Sequence, residues 1–369
     1  MRGCSSLRSA LPQRYDGGFS IVELMVALVV GLVLMTGVVQ VYVSNKQTSQ
    51  MTESLSRMQE NGRFTLDLLT REIRMAGFMP CRITTEVANV LNPTSGGPAS
   101  SFGGAGVVGI EGSDASLPSF GTSAGDRVTD TDAFWLQGGG NRTFQVNNHQ
   151  PAASSAAFFL NDVNTLEDGD VVLVCDTQQA SVFQVTNTQS SNETVVHNTG
   201  GSVSPGNCVR ELGYSSDPCT SPVGYTYGSD AVLVQFKSVA YYIGVSGDGS
   251  DTALYRQRLQ NSGGSSSYVR EELIRGVENM QLQYGLDTDA DGQIEEYQDA
   301  SSVSDWQEVR TVRMGLLIRS DDNVAQNADS RTYNLAGTAV GTSGAVTHPS
   351  DRRLRHAFNT TIQIRNRGL

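Results

Sequence analysis

Residues 18–46 read GFSIVELMVALVVGLVLMTGVVQVYVSNK and carry the clearest structural signal in this chain of 369 residues. Between Glu23 and Lys46, residues 24–45 contain no charged side chain. A helix needs about 20 consecutive apolar residues to cross roughly 30 Å of hydrocarbon. The stretch therefore predicts one transmembrane helix, with residues 19–45 inside the bilayer.

Charges on the two sides of this run predict its orientation. The preceding segment 1–18, MRGCSSLRSALPQRYDGG, is short and polar and contains three Arg and one Asp. Basic residues ahead of a first membrane helix favour a cytoplasmic amino terminus, so the rest of the chain is expected on the exported side. An ordinary cleaved signal peptide fits poorly, because its apolar region spans only about 7–15 residues before a small-residue cleavage site.

Glu23 is the unusual residue of this helix. A carboxylate inside a membrane helix costs roughly 2.5–3.5 kcal/mol at the bilayer centre, and a plain membrane anchor leaves that cost unexplained. The residues GFSIVEL (18–24) resemble the processing site of type IV prepilins. That resemblance implies cleavage after Gly18 by a prepilin peptidase and N-methylation of Phe19. It also implies that Glu23 pairs with the terminal ammonium of a neighbouring subunit, where two opposite charges stabilise each other in a dry core.

The helical pattern continues beyond the membrane segment, through residues 46–77. Small or apolar residues recur there at steps of three and four, which predicts an amphipathic helix. The residues of this stripe are Met51, Leu55, Met58, Gly62, Leu66, Leu69, Ile73 and Ala76. Gly77 and Pro80 then provide a stop signal. We expect this stripe to pack on the chain's own sheet, whereas residues 19–45 can pack only on lipid or on helices of other subunits.

Residues 78–369 have the composition of a β-rich domain with long loops. Several segments alternate apolar and polar residues, as half-buried antiparallel strands do. These segments are 133–137, 170–175, 181–187, 231–245, 253–259, 277–286, 309–320 and 358–366. Residues 92–126 are dense in Gly, Ser and Pro and predict a loop. The predicted fold class is α+β and type IV pilin-like, with a long amino-terminal helix packed on an antiparallel β-sheet domain.

Two further stretches indicate which type of pilin-like protein the chain resembles. Residues 60–81, ENGRFTLDLLTREIRMAGFMPC, resemble the helix end of PilW-type minor pilins and, more loosely, of the J-type pseudopilin of type II secretion. The sequence YGLDTDADGQIEEY (284–297), followed by Trp306 and EVRTVRMGLLIRS (308–320), resembles the carboxyl-terminal third of the PilW type. Residues 82–230 resemble the family poorly.

The resemblance implies a minor pilin that takes part in type IV pilus assembly, by priming the filament or by lying near its tip. The implied partners are prepilin peptidase, other minor pilins and the major pilin, reached through the amino-terminal helix. The implied location is the inner membrane, with a periplasmic body that enters the pilus. A J-type pseudopilin remains an alternative, and so does a membrane-anchored adhesin or enzyme.

Two observations weigh against other functions. The four histidines, His149, His197, His348 and His356, are scattered and form no catalytic or metal-binding motif, so an enzyme is not expected. The formal net charge is −12 and no basic cluster is present. Because nucleic-acid binding needs concentrated Lys and Arg, it is not expected either.

The sequence DTDADGQIE (287–295) is similar to a calcium-binding loop, with acidic residues at positions 1, 3 and 5 and Gly at position 6. The candidate ligands are Asp287, Asp289, Asp291, the backbone carbonyl of Gln293, and Glu295. Position 12 is Gln298 instead of Glu, and no helix pair flanks the loop. A structural calcium ion is the candidate cofactor, and a polar hairpin turn is the alternative.

Five cysteines are present, and Cys4 falls in the predicted leader. The other four, Cys81, Cys175, Cys208 and Cys219, allow three disulfide connectivities. Cys208 and Cys219 enclose a short loop that contains Gly, Ser and Pro, which favours their pairing. Cys81 would then pair with Cys175. Unpaired, partly buried thiols are the alternative.

Overall fold

The computed structural model describes residues 18–81, 87–116, 118–151, 153–162, 165–189, 193–200, 202–249 and 251–367. Residues 1–17 of the predicted leader lie outside the described part. The chain divides into two compact units, Met1–Glu53 and Ser54–Leu369.

One long α-helix, α1, spans Ile21–Arg74, against a predicted helix from 19 to about 76. Its part within the first unit is exposed at every residue. By length and composition this apolar stretch can cross a membrane. The helix ends where the sequence predicted a stop. Gly77 has a φ of +68°, a conformation that favours glycine, and its N–H donates to the carbonyl of Gln137 at 2.9 Å.

Within the second unit, the last five turns of α1 pack on the β domain. The buried helix residues are Met58, Gly62, Thr65, Leu69 and Ile73. They join a core that also contains Phe134, Tyr241, Met280 and Met314. Of the predicted stripe, Met58, Gly62, Leu69, Ile73 and Ala76 are thus buried and Leu66 is partly buried, whereas Leu55 is still 40% exposed. Thr65 was not predicted as buried. Its hydroxyl donates to the carbonyl of Asn61, which satisfies the polar group inside the helix.

Eighteen strands are assigned in the described residues. In chain order they are β1 Val87–Asn89, β2 Val107–Ile110, β3 Ala133–Gln150, β4 Ala157–Leu160, β5 Val171–Cys175, β6 Ala180–Gln184, β7 Asn187–Gln189, β8 Thr194–Val196, β9 Val232–Val245, β10 Thr252–Ser262, β11 Ser265–Arg275, β12 Val277–Leu286, β13 Glu296–Gln298, β14 Val309–Arg319, β15 Tyr333–Leu335, β16 Thr338–Gly341, β17 Val346–Thr347 and β18 Arg355–Gln363. Short 3-10 helices cover Gly97–Ser101, Ala300–Ser302 and Arg365–Arg367.

The strands form three sheets. The largest has the order β1-β6-β5-β9-β3-β4-β8-β7, with β10 also on β9, β11 on β10 and β2 on β3. A four-stranded sheet has the order β13-β12-β14-β18, and a small sheet has the order β15-β16-β17. The described pairings are antiparallel apart from β1 with β6 and β16 with β17. The predicted α+β fold, a long helix on a mostly antiparallel sheet, is confirmed.

Two of the differences from the sequence-based expectation concern strand β11 and the segment 92–126. Strand β11 was not predicted, because its sequence SSSYVREELIR is polar and charged. It forms through a ladder with β10 that shifts register once, between Leu254 and Tyr255, and that places Arg256 opposite Glu271. The segment 92–126 was predicted as a loop, but it contains the 3-10 helix Gly97–Ser101 and strand β2. Strand β2 forms because Val107–Ile110 pairs with Ala133–Leu136 of β3.

Candidate functional site

The start of α1 places the predicted processing and assembly residues together on the surface. Gly18 is exposed and a Cβ built there meets nothing within 4 Å. Phe19 is 87% exposed. Ser20 and Glu23 form a capping box, in which the Ser20 N–H donates to Glu23 Oε2 at 3.0 Å and the Glu23 N–H donates to Ser20 Oγ at 3.2 Å. This cap was not predicted, although the S-x-x-E pattern of residues 20–23 signals it.

The cap gives Glu23 a local function in its own chain. A carboxylate in the first helical turn also favours the helix, because the helix dipole places partial positive charge there. The side chain remains exposed, and an ionised carboxylate offers about four acceptor positions, more than the cap uses. Glu23 can therefore cap its own helix and accept a cation from another molecule at the same time.

Beyond Glu23, the first unit presents a continuous apolar surface. The large apolar side chains from Ile21 to Val43 are 45–81% exposed. Soluble monomers rarely expose an apolar surface of this extent, and such a surface marks contact with a membrane or with other proteins. The surface is suited to lipid or to the apolar helices of further subunits.

The acidic loop between β12 and β13 brings together four of the predicted calcium ligands. One ligand oxygen from each of Asp287, Asp289, Asp291 and Glu295 lies within 4.8 Å of the others. Local bonds curl the loop: the Asp291 N–H donates to Asp289 Oδ1 at 3.1 Å, and the Gln293 N–H donates to Asp291 Oδ1 at 2.8 Å. At position 12, Gln298 donates through its amide to Glu296 Oε1, outside the cluster.

Asp287 differs from the other three acidic residues because it is buried, with 3% exposure. Its Oδ2 accepts from Arg310 Nε at 3.1 Å. Its Oδ1 is also buried, and no donor among the described residues reaches it. A buried polar atom without a partner costs about 1–3 kcal/mol, and more when charged. The loop therefore contains one unsatisfied acceptor at the predicted first ligand.

The cysteines pair as Cys81–Cys175 and Cys208–Cys219, with Cα–Cα distances of 5.8 and 5.5 Å. The first pair links the segment after α1 to the end of β5, and Cys175 is fully buried. The second pair closes an 11-residue separation. The structure thus brings together the pairs that the sequence analysis favoured.

Two of the scattered histidines meet in the fold. His149 Nε2 lies 3.0 Å from His197 Nε2, and His149 Nδ1 accepts the N–H of Tyr227 at 3.1 Å. The ring of His149 stacks on Phe158 at a centroid distance of 4.0 Å. Burial lowers the pKa of His149 to about 4 and, together with the charge on His149, the pKa of His197 to about 3. Both rings are neutral at pH 7 and belong to the packed interior.

Comparison with known proteins identifies two regions of the chain. Residues 13–39 match the prokaryotic N-terminal methylation motif, and residues 240–366 match the family of the type IV pilus-assembly protein W. No curated protein and no solved structure matches the chain. The second region begins within β9 and extends past β18.

The apolar amino-terminal helix, its methylation motif and the antiparallel β domain define a type IV pilin-like protein that is anchored in a membrane and associated with a pilus. Together with this motif, the match over residues 240–366 supports a PilW-type minor pilin that takes part in type IV pilus assembly. The family is one of assembly proteins.

Proposed function

We propose that this minor pilin primes filament assembly in the inner membrane, lies near the filament tip, and acts as a structural subunit without catalysis. The prepilin peptidase cleaves after Gly18 and methylates the new amino group of Phe19. Glu23 then binds the terminal ammonium of a neighbouring minor or major pilin. The exposed carboxylate of Glu23 at the start of an exposed apolar helix is the observation that supports this proposal most directly.

The pairing of Glu23 has a physical rationale. Charged groups are costly in an apolar environment, but a carboxylate and an ammonium in contact compensate part of each other's desolvation cost. The apolar residues on their own allow neighbouring helices to slide along each other. A single charged pair removes that freedom, because only one axial position brings the two charges together.

The charge of the leader and the disulfides support the proposed topology. Three Arg precede the helix, which favours a cytoplasmic amino terminus. The pairs Cys81–Cys175 and Cys208–Cys219 fit a body in an oxidising compartment such as the periplasm. We propose a single-pass protein with a periplasmic β domain.

Intact mass and amino-terminal sequencing of the membrane-extracted protein test the processing. The expected mature chain begins with N-methyl-Phe19. The same protein from a strain without the prepilin peptidase should begin at Met1, which provides the control. A mature chain from the wild-type strain that begins at Met1, or beyond residue 45, would contradict the proposal.

Two substitutions separate the assembly function of Glu23 from its capping function. Glu23→Gln keeps an acceptor for the Ser20 N–H but removes the charge. Ser20→Ala removes the hydroxyl of the cap but keeps the charge of Glu23. We expect Glu23→Gln to lose surface pili and cross-linking to other minor pilins, whereas Ser20→Ala retains both. Normal piliation in Glu23→Gln would overturn the pairing.

Deletion of the gene tests whether the protein primes filament assembly. A priming subunit is needed before many copies of the major pilin can polymerise, so its loss should remove surface pili while leaving the major pilin in the membrane. Type II secretion should continue. Loss of secretion with normal pili would favour the J-type pseudopilin instead.

A further inference from the structure

We propose that the loop between β12 and β13 is a calcium site, formed by the carboxylates of Asp287, Asp289, Asp291 and Glu295 with the backbone carbonyl of Gln293. The function of the ion would be to hold the short edge strand β13 on β12. This site is separate from the membrane helix, and the inference does not depend on the proposed priming function.

The arrangement of the carboxylates is the first observation. Four acidic groups with ligand oxygens within 4.8 Å repel one another, because like charges at that separation raise the energy of the folded loop. Among the described residues, Arg310 forms an ion pair with Asp287, and the other three carboxylates have no ion-pair partner. A divalent cation at the centre would turn the repulsion among the four groups into attraction.

The buried oxygen of Asp287 is the second and independent observation. Arg310 holds Oδ2 from one side, which fixes the orientation of the carboxylate, and no donor among the described residues reaches Oδ1. A polar hairpin turn gives no reason to bury an ionised oxygen without a partner, since the cost would be avoided by exposure to water. A metal ion is a partner that would account for the burial of Oδ1.

Calcium suits this ligand set better than other common cations. It takes six to eight hard oxygen ligands in flexible geometry, whereas magnesium requires a nearly ideal octahedron and retains several waters. The loop offers carboxylates and backbone carbonyls and no soft ligand. Because Gln298 replaces the bidentate Glu at position 12, we expect a Kd of about 10⁻⁴ to 10⁻³ M, as in extracellular calcium modules.

The position of the ligands explains what the ion would do. Asp287 directly follows β12 and Glu295 directly precedes β13, so one ion would bind both ends of the loop. Strand β13 has only three residues. It is also held by Tyr297, whose ring lies 3.3 Å from the guanidinium of Arg313 and whose hydroxyl accepts from Thr311 at 3.1 Å. Calcium would add a constraint where the ladder itself is short.

Calorimetric titration of the full mature chain in detergent with calcium chloride, after treatment with a chelator, tests the site. Glu295 and Glu296 provide a matched pair, since Glu295→Gln removes a proposed ligand and Glu296→Gln removes the same charge one residue away. We expect one calcium ion per chain in the wild type. The affinity should fall at least about tenfold in Asp289→Ala and Glu295→Gln and stay within about twofold in Glu296→Gln.

Thermal unfolding of the same proteins gives a second readout. Calcium should raise the Tm of the wild type and of Glu296→Gln, because a ligand that binds only the folded state stabilises it. It should raise the Tm of Asp289→Ala by less, because a weaker site is occupied to a smaller extent at the same calcium concentration. Circular dichroism of the metal-free variants checks that they fold.

Three results would overturn the inference. The first is the absence of both binding heat and a Tm shift in the wild type at millimolar calcium. The second is equal weakening by Glu295→Gln and Glu296→Gln, which would indicate a diffuse acidic surface. The third is binding of magnesium as tightly as calcium, which would refute the assignment of the cation.

Discussion

Arg355 holds the carboxylate of Glu278 with two nitrogens inside the four-stranded sheet. Its Nε lies 2.6 Å from Oε2, and its Nη2 lies 3.0 Å from Oε1. The side chains are 0% and 7% exposed. Glu278 belongs to β12 and Arg355 to β18, so the pair spans the intervening strand β14, whose Arg319 also contacts Glu278 at 3.2 Å. The ion pair therefore connects three strands of the sheet.

The first prediction concerns this buried pair. Glu278→Gln removes the carboxylate that binds two nitrogens of Arg355, but Arg355 keeps its ion pair with Asp351 at 2.8 Å, so we expect a loss of about 1.5–3 kcal/mol in the free energy of unfolding. Urea unfolding of the full chain in detergent measures the loss. Glu271→Gln is the control, because its pair with Arg256 is much more exposed and should contribute less than about 1 kcal/mol. Equal losses in the two variants would refute the prediction.

The second prediction concerns the contact between α1 and the sheet. A Cβ on Gly62 would lie 2.4 Å from Cε2 and Cζ of Phe358, closer than van der Waals contact allows. Gly62→Ala should therefore destabilise the domain by about 1–3 kcal/mol, although alanine favours a helix by about 1 kcal/mol relative to glycine.

A double-mutant cycle measured by thermal unfolding isolates this clash. In the background of Phe358→Ala the ring is absent, so Gly62→Ala should cost nothing or should stabilise the helix. A cost that is the same with and without the ring would show that the close approach of Gly62 to Phe358 is not the cause.

The third prediction concerns the dependence of stability on pH. The pKa of His149 is lowered by burial to about 4, below the value of 6.5 for an exposed histidine. The unfolded chain therefore binds more protons between these values. The stability due to the neutral ring is complete above pH 6.5 and decreases as the pH falls towards 4. The slope approaches about 1.4 kcal/mol per pH unit.

Asp132 has an effect of the opposite sign, because burial raises its pKa to about 7. The measurement is therefore a difference: urea unfolding of the wild type and of His149→Asn at pH 7, 6 and 5. The variant should lose less stability on acidification than the wild type. An identical pH dependence in His149→Asn would contradict the assignment.

The fourth prediction compares the two disulfides. Cys81–Cys175 closes a sequence separation of 94 residues and Cys208–Cys219 one of 11. A cross-link restricts the unfolded chain more when its loop is longer, by about 4.7 kcal/mol for 100 residues against about 3 for 15. Replacing the first pair by Ala should therefore lower the free energy of unfolding more than replacing the second.

Guanidinium unfolding of the two double variants measures the difference between the disulfides. The burial of Cys175 adds a packing cost in the same direction. A larger loss from Cys208→Ala with Cys219→Ala would contradict the prediction.

The features that the sequence determined by itself depend on residues that are neighbours along the chain. Residues 24–45 predict a membrane helix because transfer from water into lipid depends on the composition of one segment. The motif around Gly18, Phe19 and Glu23 lies within six residues. The acidic residues of the loop 287–295 lie within nine, so the sequence predicted that their carboxylates would meet.

Only the tertiary structure decided which distant residues meet. His149 and His197 are 48 residues apart, and Glu278 and Arg355 are 77 apart. The charged strand β11 exists because β10 offers it a complete ladder, and its own residues do not indicate a strand. The orientation of the Asp287 carboxylate depends on Arg310, which belongs to β14, the strand paired with β12. Such contacts depend on how the sheets pack and on which strands become neighbours, and no local property of the chain specifies that order.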